Sequence, residues 1–280
     1  MEVLTPAADM PWTVASPFRM QPGLGRLPDT PTLFRRDAMA HGYAQAKREV
    51  LAQADHGPVG QTDDAVLQAI ADAYHRETDV TLAATVAGLT QGMQEDFVVL
   101  ADGPDGFRTR LLSVCFPSSW VPADKLGLDF AAIHAPVADN TLLLSAARGI
   151  MDMAFRQAPM VRHVWLLSPD AQLSQHPARA RRPWSSLVAD AGEHGRLIDL
   201  CCLRVERQTT LPLPALGVGV FFIRVMVAPL AAVLALDAGR AAQLHAAIAS
   251  MSDAVLNYRG MAGVRERLLC ELAQLALMQG

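Results

Sequence analysis

The stretch that decides the fold is QEDFVVLADGPDGFRTRLLSVCF, residues 94–116. Two stretches rich in apolar residues, 97–101 and 107–116, flank the sequence GPDG at positions 103–106. Glycine and proline in that place favour a tight reversal of the chain, and the valine and phenylalanine of the flanking stretches favour extended backbone. The stretch therefore predicts an antiparallel β-hairpin.

Further strand signals follow the hairpin. Residues 162–167, 197–208 and 218–227 are predicted strands, and the last is rich in Val, Phe and Ile. Residues 169–195, between the first two, are expected to form a polar loop.

Helical signals lie before, between and after these strands. Helices are predicted over residues 37–54 and after Thr62, the expected N-cap, where apolar residues recur at helical spacing. Residues 142–157 have helical length and composition, and residues 241–278 are predicted to be helices interrupted near 258–263. This distribution indicates the α+β class. Residues 1–35, rich in Pro and Gly, are expected to be an irregular N-terminal arm, and residues 36–280 a single domain.

Composition indicates which classes of partner the protein can be expected to bind. The chain of 280 residues is 51% hydrophobic and 19% charged, which is enough apolar material for a large core. Its net charge of -4 gives no reason to expect nucleic acid. The apolar stretch 211–236 is interrupted by prolines and by Arg224, and the first residues lack a basic and then apolar signal sequence, so we expect a cytoplasmic protein with no membrane partner. A homo-oligomer stays open.

Short motifs in and after the hairpin resemble those of the heme-dependent oxidative N-demethylase alpha-subunit family. Their order is that of the family: a QED before a hairpin, C-x-P-x-x-W, K-x-G, I-H-x-P-V, and E-R-Q-T followed by L-P. The residues that carry them are Gln94, Glu95 and Asp96; Cys115, Pro117 and Trp120; Lys125 and Gly127; Ile133, His134, Pro136 and Val137; and Glu206 to Thr209 with Leu213 and Pro214.

The resemblance implies a fold and an activity. It implies a PAS-like core, a small antiparallel sheet with helices folded across one face, with additional N- and C-terminal helices. It also implies a heme-binding domain that oxidises small amines with O2. The chain has no C-x-x-C-H attachment sequence, so the cofactor would be noncovalent heme b.

His134 is the candidate axial ligand of the heme iron, because a neutral imidazole is a good ligand and the resemblance covers this position. The alternative is a histidine satisfied by a backbone carbonyl next to Pro136. Cys115 is a competing ligand as a thiolate, although its apolar neighbours favour a neutral thiol packed in the core. No C-x-x-C pair is present among the four cysteines, which gives no zinc or iron–sulfur spacing.

Charged residues on two predicted strands are further candidates. Alternation places Arg204, Glu206 and Gln208 on one face of their strand and Arg207 on the other, and so polar a row could line a pocket. Glu206 is a candidate for proton delivery or ammonium recognition. Arg204, Arg207 and Arg224 are candidates for binding a heme propionate or for pocket electrostatics, and Arg224 could instead form a structural ion pair with Glu206.

Arg162 and Trp165 fall where the family commonly shows R-x-N-W, but Val164 stands here in place of the Asn. This difference leaves the choice of amine open. We expect Arg162, Trp120 and Trp165 to contact the cofactor, although large aromatic residues on strands are more often simply core.

The source of electrons also follows from the sequence. No G-x-G-x-x-G opens a strand-turn-helix unit, so electrons for oxygen activation would come from a separate flavin and iron–sulfur reductase, as the resemblance implies. Arg179, Arg181 and Arg182 form either a solvated basic loop or a docking site for an acidic electron donor. The leading hypothesis is a heme b monooxygenase acting on a small amine. The alternatives are a non-catalytic heme-binding sensor or carrier and a structural subunit that has lost heme.

Overall fold

A seven-stranded antiparallel sheet forms the centre of the computed structural model, which describes residues 2–20, 23–27, 32–53 and 56–279. The strand order is β1-β5-β6-β7-β3-β4-β2, and every neighbouring pair is antiparallel. The strands are β1 (Gly25–Arg26), β2 (Val59–Gly60), β3 (Asp96–Gly103), β4 (Gly106–Ser113), β5 (Met160–Ser168), β6 (Cys202–Leu213) and β7 (Val218–Pro229).

The hairpin predicted from residues 94–116 is confirmed as β3 and β4. Gly103 pairs with Gly106 across the turn, and Gly106 has a φ of 100°, a conformation that glycine adopts without strain. Helices surround the sheet, and with it they confirm the α+β class: α1 (Ala40–Leu51), α2 (Asp64–Thr78), α3 (Val86–Gly92), α4 (Phe130–His134), α5 (Thr141–Ser145), α6 (Ala147–Asp152), α7 (Trp184–Ala191), α8 (Leu197–Leu200), α9 (Leu230–Leu234), α10 (Gly239–Ala249), α11 (Asp253–Tyr258) and α12 (Arg265–Gln279).

Several element boundaries differ from the sequence expectation. The N-cap of α2 is Asp63 rather than Thr62, because the backbone is extended at Asp63 and its carbonyl accepts the first helical hydrogen bonds. The predicted helix over 142–157 is divided into α5, α6 and a π-helical turn at Met153–Gln157. The predicted strand over 197–208 begins as the helical turn α8, and the expected loop 169–195 contains α7.

The two faces of the sheet are covered by different elements. One face carries Phe97, Val99 and Phe222, which pack against α2 and α3, and farther along it Val205 and Met226 pack against the C-terminal helices. The other face carries Val98, Leu100 and Leu112, which pack against residues 151–155. The second face, hereafter the cavity face, is the one relevant to function. Among the described residues, none of the helices combines the length and the apolar character needed to span a bilayer.

Gly219 allows the π-helical turn to approach the cavity face closely. A Cβ atom at this position would lie 2.3 Å from Cδ1 of Phe155, well inside van der Waals contact. Any side chain here would therefore displace Phe155 from β7. Because Gly219 has no side chain, Phe155 can pack directly against the sheet.

The QED segment holds the N-terminal elements on the sheet. Asp96 and Lys47 are both fully buried, with 3.1 Å between Oδ1 and Nζ, and Lys47 also donates to the Glu95 carbonyl at 2.7 Å. The second oxygen of Asp96 accepts from the Phe116 amide at 2.7 Å. Gln94 exchanges hydrogen bonds with Asp37, so the segment ties both α1 and the residues before it to β3.

Replacing Asp96 by Asn should destabilise the protein by roughly 3–5 kcal/mol, because it leaves the Lys47 ammonium buried without a counter-charge. Urea unfolding of the two proteins measures the difference. As a control, Arg110→Gln removes the exposed ion pair with Asp63 and should change stability by about 1 kcal/mol or less. Equal losses of stability in the two variants would show that the buried ion pair contributes no more to stability than the exposed one.

Candidate functional site

A cavity of about 270 Å³ lies on the cavity face, beneath the segment that follows the hairpin. Its walls are mostly apolar and come from strands β3 to β7 on one side and from residues 116–137 and 150–155 on the other. The apolar residues include Val98, Leu100, Leu112, Phe155, Phe221 and Ile223. The polar and charged residues are Thr109, Ser118, Lys125, His134, Arg162, Glu206, Gln208 and Thr210.

His134 reaches the cavity from the end of α4. Asp129 is the N-cap of this helix, and its carboxylate accepts from the Ala132 amide at 2.8 Å. The Nδ1 atom of His134 lies 2.8 Å from the Phe130 carbonyl oxygen. A carbonyl can only accept, so Nδ1 carries the proton and Nε2 keeps its lone pair.

Burial keeps the His134 ring neutral. It lowers the pKa of His134 to about 4, and the cations Arg162 and Lys125 act in the same direction, against the opposing effect of the Phe130 carbonyl. A histidine satisfied by a backbone carbonyl and a histidine that binds a metal are compatible interpretations of His134. The Phe130 carbonyl accepts from Nδ1, and the lone pair of Nε2 is left to bind a metal. Metal-binding histidines commonly have this arrangement.

Glu206 lies across the cavity on β6, where both of its carboxylate oxygens accept hydrogen bonds. Ser118 Oγ donates to one oxygen, and Gln208 Nε2 donates to the other at 2.8 Å. Arg204 in turn donates from Nε to Ser118 Oγ at 3.1 Å. The carboxylate is thus fixed in orientation by the protein.

Arg162 is a cation on the cavity wall with an unused hydrogen-bond donor. It lies opposite Gln208 in the strand register, on the same face as Glu206. Its Nε atom is buried and lacks a hydrogen-bond partner within the described chain. Burial lowers the pKa of Arg162, and the Glu206 charge opposes this. A buried guanidinium with an unused donor fits an anionic group brought by a ligand.

The two tryptophans expected at the cofactor are separated by the sheet. Trp120 lines the cavity. Trp165 is on the opposite face, buried against Phe18 at a ring distance of 5.9 Å and against Arg259 at 5.1 Å. The expectation for Trp165 is therefore corrected, since strand alternation turns it away from Arg162's face.

Arg204, Arg207 and Arg224 do not line the cavity either. Arg204 is fully buried and donates to the backbone carbonyls of Phe116 and Leu173 besides Ser118. Arg207 donates to the carbonyls of Leu33 and Thr32 on the opposite face. In Arg204 and Arg207, these contacts use guanidinium donors that the expected propionate would need, and Arg224 lies on the face of the sheet opposite the cavity. The expectation of a propionate or pocket role for them is corrected on this geometry.

The expected pair between Arg224 and Glu206 is wrong. Arg224 pairs with Arg207 in the register, on the face opposite Glu206. Its guanidinium donates to Asp37 at 2.8 Å and lies 3.9 Å from the centre of the Tyr43 ring. Arg224 does form an ion pair, but its partner is Asp37, which belongs to the segment before α1.

The contacts of Cys115 and of the arginines in the basic loop are also defined. Cys115 is packed in the core beside Tyr43 and Phe116, and burial raises the pKa of its thiol to about 12, so the thiol stays protonated. Arg181 donates to Ser119 at 2.8 Å, and Arg182 pairs with Asp190. Docking of an electron donor there stays a prediction.

Sequence reasoning missed Ser118, Lys125 and Phe130 as site residues. Lys125 was part of the K-x-G motif, but nothing in its neighbours indicates that it approaches His134. Ser118 is an ordinary turn residue by sequence, and its contact with Glu206 spans 88 positions. Across the described residues, the protein brings no cluster of three or more His, Cys, Asp or Glu together as a metal site.

Comparison with known proteins agrees with the motifs. No curated protein matches the chain. A family model described as "Haem-dependent oxidative N-demethylase, alpha subunit-like" matches residues 44–269, which include both the hairpin and every polar residue of the cavity. The description points to a haem-dependent oxidative function. With a match that spans well over half of its length, the chain belongs to the family of haem-dependent oxidative N-demethylase alpha subunit-like proteins.

Proposed function

We propose that the protein is a heme b-dependent monooxygenase that oxidises a small amine, by N-demethylation or a related amine oxidation, with O2 and with electrons from a separate flavin or iron–sulfur reductase. The observation that carries the proposal is the combination in one cavity of a neutral imidazole with a free Nε2, a cation with an unused donor and a fixed carboxylate. Each of these answers one chemical need of the reaction.

The residues present fit heme. His134 would bind the iron through Nε2, Arg162 would bind a propionate, and the apolar walls with Trp120 would contact the porphyrin. Lys125 is a second cation on the cavity wall and suits the second propionate. When bound, heme supplies the oxygen chemistry that no side chain can perform.

Glu206 gives the cavity its preference for amines. A carboxylate within an apolar cavity favours a positively charged ammonium group and disfavours an anion. The net demethylation converts a methylated amine, O2, two electrons and two protons into the demethylated amine, formaldehyde and water. The protein would orient the amine, exclude water and supply protons, and Glu206 is the candidate group for binding the ammonium or passing a proton.

Purified protein should show a Soret band that pyridine extraction assigns to protoheme, and His134→Ala should abolish the native ferric spectrum. Added imidazole should restore it in part, because it can enter the space left by the ring. Cys115→Ser is the control and should leave the Soret position unchanged, since that thiol is buried and protonated. An unchanged spectrum in His134→Ala would refute the ligand assignment, and a colourless protein that takes up no hemin would refute heme binding.

The pure protein with NADPH alone should not turn over an amine, because the sequence has no nucleotide-binding or iron–sulfur motif. A surrogate ferredoxin and its reductase should restore formaldehyde release. Rapid NADPH-driven turnover by the protein alone would contradict this. Heme binding without turnover under any electron supply would favour the alternative, a heme-binding sensor or carrier.

Glu206→Gln should spare heme binding and reduce turnover by about 10²-fold, if the carboxylate handles a proton. The substitution keeps the shape of the side chain and removes its charge. The Soret band of the same variant serves as the control for folding. Single-turnover formaldehyde release measures the effect. Turnover equal to that of the native protein would exclude a role for the charge.

A further inference from the structure

Arg204 is buried away from the cavity, yet it contacts the group that orients Glu206. Its guanidinium donates to the carbonyls of Phe116, Gln172 and Leu173 and, through Nε, to Ser118 Oγ. A guanidinium has donors and no acceptor. In its hydrogen bond with Arg204, Ser118 must therefore be the acceptor.

This fixes the direction of the next hydrogen bond. A hydroxyl has one proton, and the acceptor role of Ser118 toward Arg204 leaves that proton for the Glu206 oxygen. Gln208 donates to the other oxygen of the same carboxylate at 2.8 Å. The sequence of donors thus runs in one direction, from Arg204 to Ser118 to Glu206.

The alternative directions do not satisfy the same atoms. If Ser118 turned its proton away, one carboxylate oxygen would face the Ser118 lone pairs without a donor between them. Arg204 prevents this because it occupies a lone pair of Ser118 from the buried side. Arg204 itself is held by backbone carbonyls of two separate segments, at Phe116 and at Gln172–Leu173, so its position does not depend on a ligand.

We propose that Arg204 is a positioning residue that acts through Ser118 to hold the Glu206 carboxylate as an acceptor facing the cavity, and that this sets the preference of the cavity for a cationic ammonium over an uncharged compound of the same shape. The proposal rests on the proposed function for the identification of the ligand as an amine. It assigns part of the cavity's selectivity to Arg204, which lies outside the cavity wall.

Calorimetric titration of the purified protein with butylammonium and with 1-butanol tests this proposal. The two probes share their shape and differ in charge, so the ratio of their dissociation constants reports the selectivity. Ser118→Ala should reduce this ratio by about tenfold, because the carboxylate loses a charge-assisted hydrogen bond. Ser118→Thr keeps the hydroxyl and should restore most of the native ratio.

Ser119→Ala is the matched control. Ser119 is the next residue, its hydroxyl accepts from Arg181 at 2.8 Å, and its removal should leave the ratio unchanged. Equal losses in Ser118→Ala and Ser119→Ala would overturn the proposal, as would a native protein with no preference for butylammonium. A general disturbance of the fold would weaken both probes and leave the ratio as it was.

A double-mutant cycle with Arg204→Lys tests the part played by Arg204. The substitution should reduce the ratio in the native background and cause no further loss in Ser118→Ala. Additive losses would show that Arg204 acts independently of Ser118, against the proposal. If Arg204→Lys does not fold, Arg204→Met takes its place in the cycle, because it keeps an unbranched side chain and removes the donors. Calorimetry reads the probes and not heme, so a colourless protein would refute the proposed function and leave this measurement valid.

Discussion

The buried carboxylate of Asp96 is the constraint on which the rest of the site depends. One oxygen holds the Lys47 ammonium of α1 and the other holds the Phe116 amide, where the chain leaves the hairpin. The turn that follows Phe116 contains Ser118 and Trp120, both on the cavity wall. The charge of Asp96 at the start of β3 therefore holds α1 in place and also fixes the start of the turn that lines the cavity. Because both partners are fully buried, neither can be replaced by water.

Strand β6 performs two tasks with its two faces. Glu206 and Gln208 line the cavity, and Arg204, on the same face, contacts the supporting turn at Ser118. Arg207 and Thr209 point the other way, and both donate to the Leu33 carbonyl. The E-R-Q-T motif thus joins site residues with residues that hold the N-terminal segment. Gln94 and Glu95 accept from the backbone amides of Asp37 and Arg35, so two distant motifs hold the same N-terminal segment on the sheet.

The sequence predicted elements well where local signals agree with the tertiary environment. Strands β3 and β7 are apolar over most of their length, and both faces of each are buried there. Prediction was weaker where packing divides a segment. Residues 142–157 have a uniform helical composition, but Phe155 packs against Gly219 and the segment is broken into three pieces. Helix α7 was overlooked within a polar stretch, although Leu187 and Ala191 are buried at helical spacing.

The sequence alone determined the α+β class, the strand alternation that puts Glu206 and Gln208 on one face, and the family, because these depend on local periodicity and on short motifs. It also singled out His134, Trp120, Arg162 and Glu206, which the tertiary structure brings into one cavity. Only the tertiary structure decided that Arg224 pairs with Asp37, that Trp165 faces away, and that Ser118 links Arg204 to Glu206. These are contacts between residues far apart in the chain, and a buried charge takes the partner that the packing of separate elements places beside it, which no local pattern records.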